Sequence, residues 1–180
     1  MVYCFLAPGF EEIEALATVD ILRRANIEVL TVGVGEDVII GSHLIPVLAD
    51  IREGDVKLDS SVEAVILPGG MPGTLNLQKS ESVQKAIDFA VANDKYVCAI
   101  CAAPLILGHK DLLNGKKATC YPGFEEDLKG AEATGGFVEE DGKIITGKGA
   151  GVAIDFALRI VEKLLNKEEA DKINASIQSK

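Results

Sequence analysis

Histidine, long apolar runs and basic clusters are all scarce in this 180-residue chain, and each scarcity closes off a class of function. There are two histidines, His43 and His109, and neither stands at ligand spacing from a cysteine pair, so no zinc site or other metal centre is expected. No apolar stretch approaches the ~20 residues needed to cross a bilayer. The opening segment 1–7 is apolar but short, lacks a basic lead and runs into Pro8-Gly9 and three acids, unlike a secretory leader. No Lys/Arg-rich run occurs and the formal net charge is −10, which argues against nucleic acid or an anionic membrane as partner. The cysteines (Cys4, Cys98, Cys101 and Cys120) are too few and scattered for a disulfide framework and suit thiols of a reducing cytoplasm. Internal repeats, low-complexity tracts and linkers are also missing.

What remains is an ordinary globular composition, 48% apolar and 26% charged, enough for a full core in one domain spanning residues 1–180. Residues 2–7 form an apolar run ended by Pro8-Gly9 and read as a buried first strand. Residues 11–25 place Ile13, Leu16, Ala17, Asp20, Ile21 and Arg24 at helical spacing and read as a half-buried helix. Residues 27–34 are a second strand, and 38–51 a β excursion broken by Gly41 and Pro46. Residues 64–70 are a third core strand ending in a glycine turn. Residues 80–93 form an amphipathic helix capped by Ser80, with Val83, Ile87, Phe89 and Ala90 inward. A strand entering a helix at Cys101 comes next, then a short strand over 117–121. A hairpin over 137–146 turning at Asp141-Gly142 and helices over 151–165 and 166–177 complete the chain. Strands alternating with helices predict an α/β sandwich, a mostly parallel sheet with helices on both faces.

Cys101 falls where a buried strand turns into a helix, at the C-terminal sheet edge where ligands of open α/β folds bind. Free N–H groups and the dipole at a helix start favour a thiolate there. Cys98-Ala-Ile-Cys101 has redox-motif spacing, but three residues along a strand separate the Cα atoms by ~10 Å, beyond disulfide reach. Cys98 therefore reads as a core residue. Ala99, Ala102 and Ala103 leave room for the sharp turn of a nucleophile elbow. Leu67-Pro-Gly-Gly70 and Gly9-Phe-Glu-Glu-Ile-Glu14 end neighbouring strands at the same edge, where the N–H groups of Gly70 and Ala102 could form an oxyanion hole. His109 lies two turns into the next helix and points away, and nothing local requires His43. A glutamate is the better partner: keeping its proton and donating it to the sulfur, it lowers the thiol pKa while its own rises.

The segments Ala7-Pro-Gly-Phe-Glu-Glu-Ile-Glu14, Asp20-Ile-Leu-Arg-Arg-Ala25, Val65-Ile-Leu-Pro-Gly-Gly70, Ala99-Ile-Cys-Ala-Ala-Pro104 and Asp155-Phe-Ala-Leu-Arg-Ile-Val-Glu162 together resemble the ThiJ/PfpI superfamily. The resemblance is strongest to the branch of the Parkinsonism-associated deglycase and its bacterial relatives. It implies a flavodoxin-like sandwich, a homodimer and no cofactor. It also implies that Cys101 is a nucleophile and oxidation-sensitive thiol, Glu14 its protonated partner, and Gly69, Gly70 and Ala102 the binding edge. The activities it implies are conversion of glyoxal and methylglyoxal to hydroxy acids and repair of early glycation adducts, so small aldehydes or glycated adducts are the expected partners. Two positions depart from the pattern. Tyr121-Pro122 stands where relatives carry a histidine before the proline; a phenol of pKa ~10 is a poor base near neutrality but can donate a hydrogen bond, which keeps Tyr121 in the catalytic set. His43 occupies an arginine position in the β excursion. It is assigned to substrate binding with Arg24, which is expected near the site of a dimer partner.

The implied chemistry is attack of Cys101 on an aldehyde, with the hemithioacetal oxyanion at the Gly70 and Ala102 N–H groups. Glu14 then shuttles a proton before hydrolysis. The rival is a redox sensor or chaperone-like protective protein whose Cys101 is oxidised and not turned over. A cysteine peptidase is a weaker third reading, because it needs a Cys–His pair.

Overall fold

Five consecutive buried residues, Val2–Leu6, form the interior strand β1 of the computed structural model, which describes residues 1–179. Its side chains alternate between two cores, as period-two geometry requires. Val2, Cys4 and Leu6 enter one, and Tyr3, Phe5 and Ala7 the other. After β1 come α1 (Glu12–Arg24), β2 (Val29–Gly33), β3 (Val38–Ile40), β4 (Pro46–Leu48), β5 (Ile51–Arg52) and β6 (Ala64–Leu67). Then follow α2 (Gly73–Lys79), α3 (Glu81–Ala92), β7 (Tyr96–Ile100) and α4 (Pro104–His109). The rest holds β8 (Lys117–Ala118), β9 (Glu132–Ala133), β10 (Val138–Asp141), β11 (Ile144–Gly147), α5 (Ala153–Leu164) and α6 (Lys167–Ser176).

The main sheet runs β10-β11-β7-β6-β1-β2-β5. Every pairing in it is parallel except β10 with β11, which is the antiparallel edge hairpin expected around Asp141-Gly142. On one face α1, α5 and α6 contribute Leu22, Phe156, Ile160 and Ile173; on the other, α2, α3 and α4 contribute Leu77, Ile87 and Ile106. Each such side chain, fully buried, contributes ~1.5–3 kcal/mol, so two continuous cores hold the layers. This is the α/β sandwich that the alternation of elements predicts, with the flavodoxin-like arrangement that the family resemblance implies. Among the described residues no helix is long and apolar enough to cross a membrane.

Several expectations shift in detail. Of the helical positions expected on the half-buried face of α1, Ile21 is buried and Ala17 half-buried, but Ile13, Leu16, Asp20 and Arg24 are exposed, while Glu12, Glu14, Ala15, Val19 and Leu22 are buried. Hydrophobicity would bury Ile13 before Glu14; the two carboxylates go in because N–H donors await them there. The β excursion divides into the β3–β4 hairpin, separate from the main sheet, and β5, which pairs with β2. The strand expected over 117–121 keeps only its first two residues as β8. Helix α2 has no counterpart in the sequence reading. Ser80 caps α3 as expected, accepting from the Val83 N–H at 3.3 Å.

The sheet places β2 on one side of β1 and β6 on the other, so the chain reverses its winding direction between β1 and β6. Such a reversal opens a crevice at the C-terminal strand ends. The segments leaving β1, β6 and β7 meet there.

Candidate active site

The turn after β7 carries Cys101 at φ +64°, in the left-handed region. A side chain there costs ~1–2 kcal/mol, so neighbours must hold it in place. They do so on both backbone groups. The Cys101 N–H donates to the Gly147 carbonyl at 2.8 Å, and the Cys101 carbonyl accepts from the Tyr121 N–H at 2.8 Å. Cys101 stands in the turn between strand and helix, as the sequence suggested, but helix α4 begins only at Pro104, so the turn extends two residues beyond the cysteine.

Gly69, two residues past β6, is the floor of the site. A Cβ at this position would lie 2.6 Å from Cys101 Cβ and 2.7 Å from Glu14 Oε2, so only glycine lets both side chains occupy their places. The Gly69 N–H donates to Glu14 Oε2 at 2.8 Å, and the Gly69 carbonyl accepts from the Glu11 N–H at 2.9 Å. Glu14 is 1% exposed, and its other oxygen, Oε1, is buried with no hydrogen-bond partner. Burial pushes the Glu14 carboxyl up to about 7, against the downward pull of the neighbouring Cys101 thiol and the Gly69 N–H.

Burial also pushes the Cys101 thiol up to about 12, and the charge of Glu14 adds to it. The N–H groups of Gly70 and Ala102 point at the sulfur and pull the other way, but weakly. The lowered thiol pKa expected from the sequence is thus corrected. A half-buried sulfur beside a carboxylate is held as a thiol, and two backbone dipoles do not outweigh that. Cys4, Cys98 and Cys120 are buried free thiols, and burial raises each of them as well. Cys98 packs in the same core as Leu6 and Phe156.

The rim is built by the first turn of α1. Glu11 caps the helix, accepting from the Glu14 N–H at 2.8 Å. Glu12 turns inward onto the loop between β3 and β4. It accepts from the His43 N–H at 2.7 Å, the Ser42 hydroxyl at 3.2 Å and the His43 ring Nδ1 at 2.9 Å. Burial works to raise the Glu12 carboxyl, but the bonds from His43 outweigh it and hold it at about 2. The same bond raises the His43 imidazole above its ordinary value. Glu11, Glu12 and His43 bring ligand atoms within 4.8 Å of one another. Both Glu12 oxygens are already taken by donors, so this is a satisfied hydrogen-bond network.

Cys101, Glu14, Gly69, Gly70 and Ala102 therefore come together as one cluster. Tyr121 joins it through its backbone, while its ring is exposed and rests on Gly149, 3.3 Å from the position a Cβ would take there. With Pro122, Phe137 and Lys148 it lines a groove of about 520 Å³. Arg24 is not brought to this chain's cysteine. It lies ~15 Å along α1 from Glu14 and pairs with Asp20 at 2.7 Å. His109 bonds Gln78 and Asp127, away from the cluster. The sequence reading missed Glu11 and Glu12. Their tandem position at a helix start was visible, but the partner loop, some thirty residues on, was not.

The sequence profile of the DJ-1/PfpI family matches residues 1–163. The chain is 38% identical to Protein DJ-1 homolog B of Arabidopsis thaliana over 175 residues, 96% of this chain and 40% of that protein. It is 34% identical to Protein dj-1beta of Drosophila melanogaster over 171 residues, 93% of this chain and 91% of that one. A Caenorhabditis elegans protein named Glutathione-independent glyoxalase DJR-1.2 is 29% identical over 169 residues, 91% and 87% of the two chains. The chain thus spans less than half the length of the Arabidopsis relative. Toxoplasma gondii DJ-1, solved in an oxidized form, superposes with a TM-score of 0.94 at 34% identity, covering 99% of this chain and 97% of that one.

Proposed function

The chain belongs to the DJ-1/PfpI family, and on that premise we propose that it converts reactive aldehydes, or repairs their early adducts, without a cofactor at Cys101. The observation that carries the reading is the cluster itself: a thiol on a left-handed elbow, a buried glutamate beside it, and two backbone N–H groups aimed at the sulfur. The name of the nematode relative supports the glyoxalase form of the reaction.

With its thiol near 12, Cys101 needs a base at the moment of attack, and a carboxyl near 7 is suited to that task at neutral pH. Ionised Glu14 takes the thiol proton as the sulfur bonds to the aldehyde carbon. The alkoxide forms against the Gly70 and Ala102 N–H groups. It then receives the proton back from Glu14, which leaves a neutral hemithioacetal and a carboxylate ready to act again. Rearrangement to a thioester of the 2-hydroxy acid and hydrolysis complete the turnover and free the thiol. Tyr121, a donor and not a base, would orient substrate in the groove beside Gly149.

The test is lactate formation from methylglyoxal by the wild type, Cys101→Ala and Glu14→Gln. Removing the nucleophile is expected to abolish it, and Glu14→Gln to reduce it by about 10²-fold or more. Equal rates in all three would overturn the reading.

A second reading, a protective redox sensor, draws support from the same N–H pair, which could hold the oxygens of an oxidised sulfur. Intact mass after mild peroxide separates the two: two added oxygens at Cys101 without aldehyde turnover favour the sensor. We further propose a homodimer, supported by the apolar stripe on α1 and the exposed faces of β3 and β4. Ile13 is 58% and Leu48 71% exposed, too much apolar surface for solvent to wet comfortably. Arg24, on the same outward face, would then reach toward the partner's site. The free buried thiols suit a reducing compartment such as the cytoplasm.

A further inference from the structure

We propose that His43, oriented by Glu12, is the proton donor and acceptor at the mouth of the Cys101 site, doing there what the phenol of Tyr121 cannot. This rests on the aldehyde-converting reading and adds a residue to it.

The geometry links His43 to the cysteine through one continuous edge. The loop between β3 and β4 is sewn onto the segment leaving β1: Gly9 N–H donates to the Ile40 carbonyl and Ser42 N–H to the Phe10 carbonyl, each at 2.8 Å. His43 Nδ1 lies 2.9 Å from Glu12 Oε2 and 3.9 Å from Glu11 Oε1. Glu11 in turn donates its N–H to Gly69, the residue on which Cys101 and Glu14 both rest. A single residue therefore separates the imidazole from the floor of the site.

The pairing is directional. Glu12 is buried and fully bonded, so it fixes the ring through both the His43 backbone N–H and Nδ1. Nδ1 carries the proton shared with Glu12, which leaves Nε2, at the opposite edge of an exposed ring, as the working nitrogen. The groups facing the ring are Glu11 and Glu12 from α1 and Ser42 from its own loop, two carboxylates and a hydroxyl. The two carboxylates favour the imidazolium, which can give a proton from Nε2 and recover it.

The rearrangement of a hemithioacetal needs two proton carriers. As Glu14 takes the C–H proton of the sulfur-bearing carbon, the imidazolium gives its Nε2 proton to the neighbouring carbonyl oxygen, and an enediol results. Glu14 then returns its proton to that neighbouring carbon while the imidazole takes one from the hydroxyl on the sulfur-bearing carbon. A thioester remains and both carriers are restored, with no net change in protons or electrons.

The experiment compares His43→Asn, Glu12→Gln and Cys101→Ala. Asparagine places an N–H near Nδ1 and keeps the bond to Glu12 but cannot titrate. With methylglyoxal, His43→Asn is expected to lose about 10²-fold in kcat, since general acid–base groups contribute on that scale. The limb that His43 gives to the pH profile disappears in this variant, while Cys101 is alkylated by iodoacetamide at the wild-type rate. Glu12→Gln moves that limb to lower pH, toward the ordinary imidazole value. Wild-type kcat and pH profile in His43→Asn would overturn the proposal, as would a loss of turnover matched by an equal loss of Cys101 alkylation, which marks a merely structural role. Undiminished turnover by Cys101→Ala would instead overturn the reading on which it rests.

Discussion

A carboxyl shut away from water favours its proton, and for Glu14 this sets a stability that depends on pH. Its value rises from an ordinary 4.5 to about 7 in the fold, so the native state holds a proton that the unfolded chain releases earlier. The associated stability is complete below about 4.5 and is lost as pH climbs through about 7, because stability falls wherever the native state binds more protons. Glu14→Gln, which removes the ionisation, is therefore expected to stabilise the protein at pH 8 by about 3 kcal/mol, with the gain vanishing near pH 4. Thermal melts across that range measure it. Gly69→Ala tests the floor of the site: a methyl in contact with both Cys101 and Glu14 should push them apart. Alkylation of Cys101 and aldehyde turnover should both change sharply, with the far-ultraviolet circular dichroism preserved.

At the scale of elements, the elbow and the hairpin are the strained and the tethered parts. Because Cys101 sits at φ +64°, Cys101→Gly is expected to be more stable than Cys101→Ala by about 1 kcal/mol, a difference that denaturant titration resolves. The β3–β4 loop is held by Glu12 together with the backbone bonds of Gly9 and Ser42. Glu12→Ala would leave the His43 N–H and ring without their acceptor and cost about 1–3 kcal/mol. For the intact pair the sign is opposite to that of Glu14: Glu12 is depressed from 4.5 to about 2, so its stabilisation is present above about 4.5 and lost as pH falls toward 2. The strands were legible in the sequence because apolar runs such as 2–7 and 64–70 end at Pro-Gly or Gly-Gly, where a ladder must stop. The elbow at Cys101 was legible from its small neighbours. Helix α2 was not, since seven residues without a side-chain cap carry too little periodicity. The inward turn of α1 was hidden for another reason: the partners of Glu12 and Glu14 are 31 and 55 residues away, and no local pattern reports a donor at that distance.

Taken whole, the molecule carries a formal charge of −10 and yet presents an apolar face on α1, β3 and β4. Like charge keeps copies apart except where such a face can meet its own kind. Sedimentation of the wild type is expected to show two chains, and Ile13→Glu combined with Leu48→Glu to show one. The wild-type melting temperature should also rise with protein concentration, as linkage to association requires. The face and the chemistry are closer than their positions suggest. Ile13 and Glu14 are consecutive residues of one helical turn, the first pointing to solvent and the second into the cluster. Whatever grips the outside of that turn also holds the acid within, across no more than a helix diameter of about 10 Å. The outer surface of α1 and the acid at Glu14 are thus two sides of a single turn.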